Sequence, residues 1–343
     1  MNRAIYNQYQ QTGGNAVKID VHKVRSLALI GLASLIIAYL TSVKAFGIDR
    51  DYYNYILFYE TVQGRISYSD LKFESGFVYL SWLFRNLIDF DFPAFVLVIT
   101  TFSLSVKFWF LYKYTKFPIL AIACYMLMFY PIHEYTQIRV SFALSFSILA
   151  IHFLVEKRFI KSALFFLIAP LFHITVVAIA MCALVYFIRK KYLGLAIVAM
   201  LGLLIWFAGD VIFSTILAVS INFNDLSAYY ATNANYTEQA NILSVNNLAI
   251  YFAIIFCLIR NWAVRSDLDY ILFIILVASV ASLVILIQLP VFSQRLKELL
   301  SVFMIPLIFR NYRGPIDMVG FVVLIGASAW AFFRYVDQSI IFV

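Results

Sequence analysis

The sequence predicts an all-α, polytopic integral membrane protein with about 10–12 transmembrane or re-entrant helices. Hydrophobic residues make up 64% of its 343 residues, and the mean hydropathy is +0.89. Charged residues make up only 13%, against roughly 25% in soluble domains. Because a soluble protein of this length could not bury so much apolar surface in one core, the lipid bilayer must be the solvent for most of the chain.

Nine apolar runs are candidates for membrane-spanning helices. A spanning helix needs about 20 apolar residues, and some of the runs reach this length only with their flanking residues. In chain order the runs are 26–43, 93–112, 117–131, 139–155, 193–209, 247–259, 269–287, 296–309 and 316–333.

Two further apolar segments are ambiguous. Segment 76–88 is short and carries Arg85, so we expect it to lie on the outer face without crossing. Segment 162–188 is long but is interrupted between Pro170 and His173. We expect a re-entrant hairpin with its apex near His173; the alternative is one tilted helix kinked at Pro170.

The basic residues predict the orientation of these segments. The first span follows three basic residues, Lys18, Lys23 and Arg25. It is too long for the core of a signal peptide, so we expect it to be a membrane anchor with the N-terminus on the inner side. With the two ambiguous segments placed as above, the other basic clusters also fall inside. They are Lys113/Lys116, Lys157/Arg158/Lys161, Arg189/Lys190/Lys191, Arg260/Arg265 and Arg310/Arg313. The net charge of +8 therefore encodes topology and does not indicate nucleic-acid binding.

The resulting organisation is a single transmembrane helical domain with short tails. A cytoplasmic tail covers 1–24, the domain covers 25–335 with outer loops at 44–75 and 221–246, and a C-terminal tail covers 336–343. The three cysteines, Cys124, Cys182 and Cys257, lie in apolar segments without metal-ligand spacing and are expected in the core. We predict no metal site and no cofactor.

Four ionisable residues are candidates for catalysis. An ionisable residue inside a span costs roughly 2.5–3.5 kcal/mol on insertion scales and therefore suggests function. Arg139 and Arg295 each open a helix at its outer end, where a guanidinium could bind phosphate oxygens or simply reach water. His173, at the hairpin apex, could act as a general base or be a satisfied core histidine. Glu74 could orient or activate a sugar hydroxyl, or be a solvated loop charge.

Other residues in the same regions are candidates for substrate binding. Flat aromatic rings cover the apolar faces of sugars, and amides and charged groups pair with hydroxyls or phosphates. The same composition also fits a solvated loop with interfacial tyrosines. The candidates are Asp49, Asp51, Gln137, Gln294, Lys297, Tyr229 and Tyr230. His152, in the middle of its span, is expected to be structural.

Several of these residues lie in motifs that resemble the EpsG-like branch of the Wzy polysaccharide polymerases. An acidic and aromatic stretch follows the first span, and Glu74-Ser75-Gly76-Phe77 is similar to a Glu-x-Gly-Phe motif. The start of a helix at Ile138-Arg139, with Ala143, resembles an Ile-Arg-x-x-x-Ala pattern. A basic loop, 156–161, leads to the Phe-His element of Leu171-Phe172-His173. The resemblance covers roughly 45–180 and, beyond that, Arg295.

This resemblance implies a glycosyltransferase that is similar to other multi-span enzymes using polyprenyl-linked donors. It would transfer a growing glycan from undecaprenyl pyrophosphate onto the next lipid-linked repeat unit, at the outer face of a bacterial cytoplasmic membrane. Two arginines would hold the leaving pyrophosphate, and His173 or a loop carboxylate would deprotonate the acceptor. The implied partners are the lipid-linked donor and acceptor, the bilayer and a chain-length regulator protein.

Three other functions remain open from the sequence. A flippase or transporter could bind the same lipid-linked glycan through the same arginines, although no inverted repeat is visible. A membrane O-acyltransferase also pairs histidine with arginine, but the Arg50 region lacks the early Arg-rich signature of those enzymes. An O-antigen ligase would use the same donor with a different acceptor.

Overall fold

A computed structural model describes a helical chain. The described residues are 21–47, 49, 51–62, 73–188, 191, 242–286 and 290–337. Within them the chain forms 13 α-helices and no β-strand, so the predicted all-α class is confirmed.

Most of the helices follow the predicted apolar runs, but one, Tyr52–Thr61, lies within the predicted outer loop 44–75. In chain order they are α1 (Val21–Ser42), α2 (Tyr52–Thr61), α3 (Ser75–Asn86), α4 (Phe92–Tyr114), α5 (Pro118–Met128), α6 (Ile138–Val155), α7 (Phe159–Ile168), α8 (Val177–Ala183), α9 (Val245–Ile259), α10 (Asp267–Ile285), α11 (Pro290–Ser301), α12 (Met304–Asn311) and α13 (Asp317–Asp337). A π-helical turn, Pro131–Thr136, separates α5 from α6.

Five helices, α1, α4, α6, α10 and α13, are long and apolar enough to cross a membrane, and several shorter apolar helices lie beside them. The polytopic membrane class is therefore confirmed. The predicted run 296–309 is divided between α11 and α12. The predicted span 193–209 and nearly all of the predicted outer loop 221–246 lie outside the described residues.

Helices α4 and α6 run parallel and define the two ends of the bundle. Ser145 Oγ donates to Ser103 O (3.3 Å) near the middle, and Lys113 Nζ pairs with Glu156 Oε1 (2.7 Å) where both helices end. Their first residues therefore share one end, called here the Arg139 end, and their last residues share the Lys113 end. α1 packs along α4.

Helix α3 lies across the Arg139 end. Its 12 residues reach only about 18 Å, too short for a hydrocarbon core of about 30 Å. Phe77 near its start and Phe84 near its end both place their rings against Phe95 of α4, at centroid distances of 5.7 and 5.5 Å. As predicted for 76–88, this helix does not run through the bundle.

Segment 159–188 is a hairpin, as predicted, and not one kinked helix. The ring of Phe159, at its start, contacts the rings of Tyr186 (6.1 Å) and Phe187 (5.9 Å), at its end. Pro170 lies in a 3₁₀ turn after α7, and His173 at the apex has an extended backbone (φ −162°, ψ 121°). The hairpin packs between α6 and α10, which brings its apex to the Arg139 end.

Candidate active site

Three of the predicted catalytic residues meet at the Arg139 end. Glu74 precedes α3, Arg139 lies in the first turn of α6, and His173 is at the hairpin apex. Oε1 of Glu74 lies 2.8 Å from Nδ1 of His173, and Oε2 of Glu74 forms an ion pair with Nη1 of Arg139. We call these three residues the triad.

A glycine makes the approach of α3 to the hairpin possible. A Cβ on Gly76 would lie 2.7 Å from both Cβ and the carbonyl oxygen of Leu171. Real Cβ atoms do not come so close to backbone, so this position requires glycine for its small size. Because Leu171 is two residues before His173, the contact brings the histidine within reach of Glu74.

Aromatic rings hold the guanidinium of Arg139. Its Cζ lies 4.1 Å from the ring centroid of Phe73 and 5.6 Å from that of Tyr55, at distances typical of cation–π contacts. Nε also donates a long hydrogen bond to Tyr55 Oη (3.4 Å). The side chain keeps 17% exposure, so it is fixed in position yet still reachable by a ligand.

Glu74 is ionised at neutral pH. Burial alone would raise the pKa of its carboxyl, but the hydrogen bond to His173 and the charge of Arg139 more than offset this and lower the pKa to about 2. A carboxylate only accepts hydrogen bonds, so Nδ1 of His173 carries the proton of this bond, and in the neutral imidazole Nε2 has a free lone pair. A group with so low a pKa is a poor base, which favours His173 over Glu74 for proton transfer.

Arg295, on α11, acts electrostatically on two residues near Arg139. The positive charges of Arg295 and Arg139 both act on the carboxyl of Asp51 and on the hydroxyl of Tyr55. Burial raises the pKa of Asp51, although the two guanidinium groups oppose that shift. The two arginines, from separate helices, therefore lie within electrostatic range of one patch. Arg295 is exposed and, within the described part of the chain, makes no ion pair with a carboxylate.

Asp49 serves to hold the loop after α1. It is 3% exposed, and its carboxylate pairs with Lys44 and accepts from the backbone N–H of Asp51 (2.9 Å). Lys44 Nζ also donates to the carbonyl of Tyr135 (2.7 Å). Both carboxylate oxygens are thus engaged within the protein, which favours a structural role over the predicted contact with substrate. Sequence reasoning did not single out Lys44.

The other predicted binding residues are more scattered. Gln137 is buried between the π-helical turn and α6. Gln294 is partly exposed beside Arg295, whereas Lys297 is buried, with Nζ 3.9 Å from Glu298. Because its side chain is buried, Lys297 is not accessible to the substrate that it was predicted to bind. Tyr229 and Tyr230 lie outside the described residues.

A buried charged network lies directly beside the triad. Lys107 Nζ, on α4, donates to Glu134 Oε1 (2.6 Å) and to Ser141 Oγ (2.7 Å). Tyr125 Oη lies 2.6 and 2.7 Å from the two oxygens of Glu134. Lys107 and Glu134 are 2% and 0% exposed. Since Glu134 and Ser141 flank Arg139 in the chain, the network fixes the π-helical turn and the first turn of α6.

Sequence reasoning missed this network, although a signal was present. Lys107 is a basic residue inside an apolar run that was predicted to span the membrane, and such a residue suggests function. His152, which was expected to be structural, lies at the Lys113 end, away from the triad, with its Nδ1 2.6 Å from Tyr114 Oη. Among the residues that the structure describes, no group of three or more His, Cys, Asp or Glu side chains could hold a metal ion.

Comparison with known proteins identifies the family. The EpsG family model matches residues 27–341, nearly the whole chain and well beyond the region 45–180 in which the motifs were visible. A role in polysaccharide polymerisation fits this family in general. Searches of curated proteins and of solved structures find no significant match. The extent of the family match shows that this membrane protein belongs to the EpsG family.

Proposed function

We propose that this protein polymerises undecaprenyl-pyrophosphate-linked oligosaccharide units into a surface polysaccharide, with the triad as its catalytic centre. The observation that carries the proposal is the carboxylate of Glu74, which contacts both Arg139 and His173. A cation for a phosphate leaving group and a base for a hydroxyl are thereby held side by side. Glycosyl transfer from a lipid diphosphate needs these two groups.

The leaving diphosphate would bind the two arginines. A guanidinium is a planar fork that matches phosphate oxygens, and it keeps its charge at any physiological pH. Arg139 is already oriented by Phe73 and Tyr55, and Arg295 reaches the same patch from α11. As the bond to the sugar breaks, negative charge grows on the diphosphate, and fixed cations stabilise it most at that moment.

His173 would take the proton from the acceptor. The acceptor hydroxyl oxygen bonds to the anomeric carbon of the donor while the bond between that carbon and the diphosphate oxygen breaks. The electron pair stays with the diphosphate, and the hydroxyl proton passes to Nε2 of His173. Glu74, bonded to Nδ1, stabilises the imidazolium that forms, as the buried carboxylate does in hydrolase triads.

The reaction would take place on the outer side of a bacterial cytoplasmic membrane. The triad lies at the Arg139 end, opposite the basic residues that the charge pattern assigns to the inside. The donor and acceptor would be lipid-linked and enter from the bilayer. Since the protein supplies its own cations for the diphosphate, we expect polymer formation to continue in the presence of EDTA.

The test is chain growth in liposomes that contain the purified protein and lipid-linked repeat units. Wild type should form long polymer. Arg139→Gln, Arg295→Gln and His173→Gln should each elute as folded protein yet lose polymer formation by at least about 100-fold, the usual contribution of an oxyanion donor or a general base. His152→Gln, a histidine at the opposite end of the bundle, is the control and should retain activity.

The alternative functions give different products in the same assay. Movement of the glycolipid across the bilayer without chain growth would indicate a flippase, and transfer onto a lipid core would indicate a ligase. Acylated repeat units would indicate an O-acyltransferase. Full activity in all three site variants would refute the proposed centre. In cells, a deletion strain that displays single repeat units in place of long chains would support the polymerase.

A further inference from the structure

A polar cavity lies at the Lys113 end, far from the triad. It has a volume of about 430 Å³ and is lined by five basic side chains, from the end of α4, the loop before α10 and the end of α12. These are Lys113, Lys116, Arg265, Arg310 and Arg313. Asp269 is the one acidic residue among its described lining residues.

Three of these five cations have no carboxylate partner. Lys113 pairs with Glu156, and Arg310 Nε lies 3.2 Å from Asp269 Oδ1. By contrast, Lys116 donates to the carbonyl of Tyr312 (2.7 Å) and Arg265 donates to the carbonyls of Asn311 and Arg260 (both 3.3 Å). Over the residues that the structure describes, no carboxylate forms an ion pair with the side chains of Lys116, Arg265 or Arg313. The buried carboxylate of Asp317 accepts from the backbone N–H of Arg313 (2.7 Å) and pairs with Arg260 (2.9 Å).

Repulsion between basic groups acts on Arg265. Burial and the neighbouring charges of Arg313 and Arg260 lower its pKa, and Asp317 and Asp269 offset this only in part. A requirement for basic residues on one side of the membrane accounts for their presence at this end. It does not account for their convergence from three parts of the chain around a common space, where an anion would relieve the repulsion.

We propose that this cavity binds a phosphate-bearing headgroup, supplied by an anionic phospholipid or by a small soluble phosphate compound. Arginine forks match phosphate oxygens, and basic pockets between transmembrane helices on the inner side bind anionic lipid headgroups. The site is separate from the triad and does not depend on the function proposed for it.

The test measures ligand-induced thermal stabilisation of the purified full-length protein. The probes are dioctanoyl phosphatidylglycerol, dioctanoyl phosphatidylcholine as the lipid without net charge, and sodium pyrophosphate. Arg265→Gln/Arg313→Gln should raise the half-saturating concentration of the bound anion about 30-fold, since each basic residue contributes roughly fivefold. The control, Arg158→Gln/Lys161→Gln, removes two exposed charges near the same end but outside the cavity. It should change the half-saturating concentration less than about twofold.

The outcomes separate the two sources of phosphate and the two sites. Stabilisation by phosphatidylglycerol alone identifies a lipid site, and stabilisation by pyrophosphate identifies a soluble ligand. In either case Arg139→Ala should leave the effect intact, because that residue belongs to the triad. The proposal is overturned if neither anion stabilises wild type, if both double variants weaken binding equally, or if only Arg139→Ala removes it.

Discussion

Glu74 holds the candidate active site together at the scale of single residues. Its two oxygens contact different partners, one from α6 and one from the hairpin. Removing its charge would therefore weaken the hold on both side chains, because Nη1 of Arg139 and Nδ1 of His173, which are partly buried, would lose their anionic acceptor. Both the stability of the Arg139 end and the chemistry proposed for it depend on this carboxylate.

The pKa of Glu74 makes its contribution to stability depend on pH. The carboxyl titrates at about 2 in the folded protein, against an ordinary value of 4.5. Since the folded-state pKa is depressed, the stabilisation is complete above about 4.5 and is lost as the pH falls toward 2. Glu74→Gln should thus lower the melting temperature at pH 7 and have progressively less effect in that acidic window.

Thermal unfolding in detergent at several pH values checks this expectation. Glu60→Gln, at an exposed carboxylate on α2, is the control and should change the melting temperature little at any pH. If the melting temperature of Glu74→Gln lies below that of wild type by the same amount from pH 7 to pH 2, the charge of Glu74 is not what stabilises the folded state.

The sequence revealed the individual site residues better than their contacts. Arg139 and His173 are visible because each is an ionisable residue in an apolar setting, which is a local property of the chain. The contact of Glu74 with both depends on the packing of α3 against the hairpin, which no local pattern encodes. Asp49 was expected to face substrate, but a loop charge gives no sign that a lysine five residues earlier neutralises it.

At the scale of elements, close packing at Gly76 positions the hairpin. Gly76→Ala would push a methyl group against the backbone of Leu171, so α3 and the hairpin must separate. We expect polymer formation to fall at least tenfold and the melting temperature to drop. Gly326→Ala is the matched control, because a Cβ there meets nothing within 4 Å. Unchanged activity in Gly76→Ala would show that this packing does not set the position of His173.

The buried network between α4 and the π-helical turn gives a second prediction for elements. Lys107→Met would leave Glu134 buried without its cation, at a cost of about 3–5 kcal/mol. Lys107→Met/Glu134→Gln should be more stable than the single variant, since it removes both charges. The exposed pair Lys113–Glu156 is the control, and its removal should cost no more than about 1 kcal/mol.

Chemical unfolding of the single and double variants in detergent measures these differences. A strongly negative coupling between Lys107 and Glu134 is expected, and additive effects would contradict it. The π-helical turn itself was not predicted, because the run 117–131 ended at Pro131 and gave no sign of a wide helical turn beyond it.

At the scale of the whole molecule, the two ends of the bundle should face opposite sides of the membrane. Tyr53 lies on α2, two residues before Tyr55, which contacts Arg139, and it is 59% exposed. Arg158 has a 57% exposed side chain at the Lys113 end. In a Cys182→Ala background, Tyr53→Cys should react with an impermeant maleimide added outside intact cells. Arg158→Cys should react only after the membrane is opened, and labelling of both from one side would contradict the orientation.

The fold class and the hairpin were predictable at this scale because hydropathy and charge are averages over many residues. A single residue changes such an average little, so the fold class can be predicted reliably. The hairpin could be predicted because a proline followed by a histidine interrupts an apolar run. The division of 296–309 into α11 and α12 was not predictable, since the turn between them is built from apolar residues that also suit a continuous helix. Length alone could not separate these two arrangements.

The hairpin also has a consequence for how the protein is made. The hairpin starts and ends at the Lys113 end, so it adds no net crossing of the membrane and does not change the orientation of the helices that follow. Its polar tip, with a histidine and non-helical backbone, is costly in bare lipid and gains a carboxylate partner only next to Glu74. We therefore expect the hairpin to pack between α6 and α10 only after those helices have inserted. His173, the proposed base, would then be the last part of the site to reach its position. A newly synthesised chain should stay inactive until that step is complete.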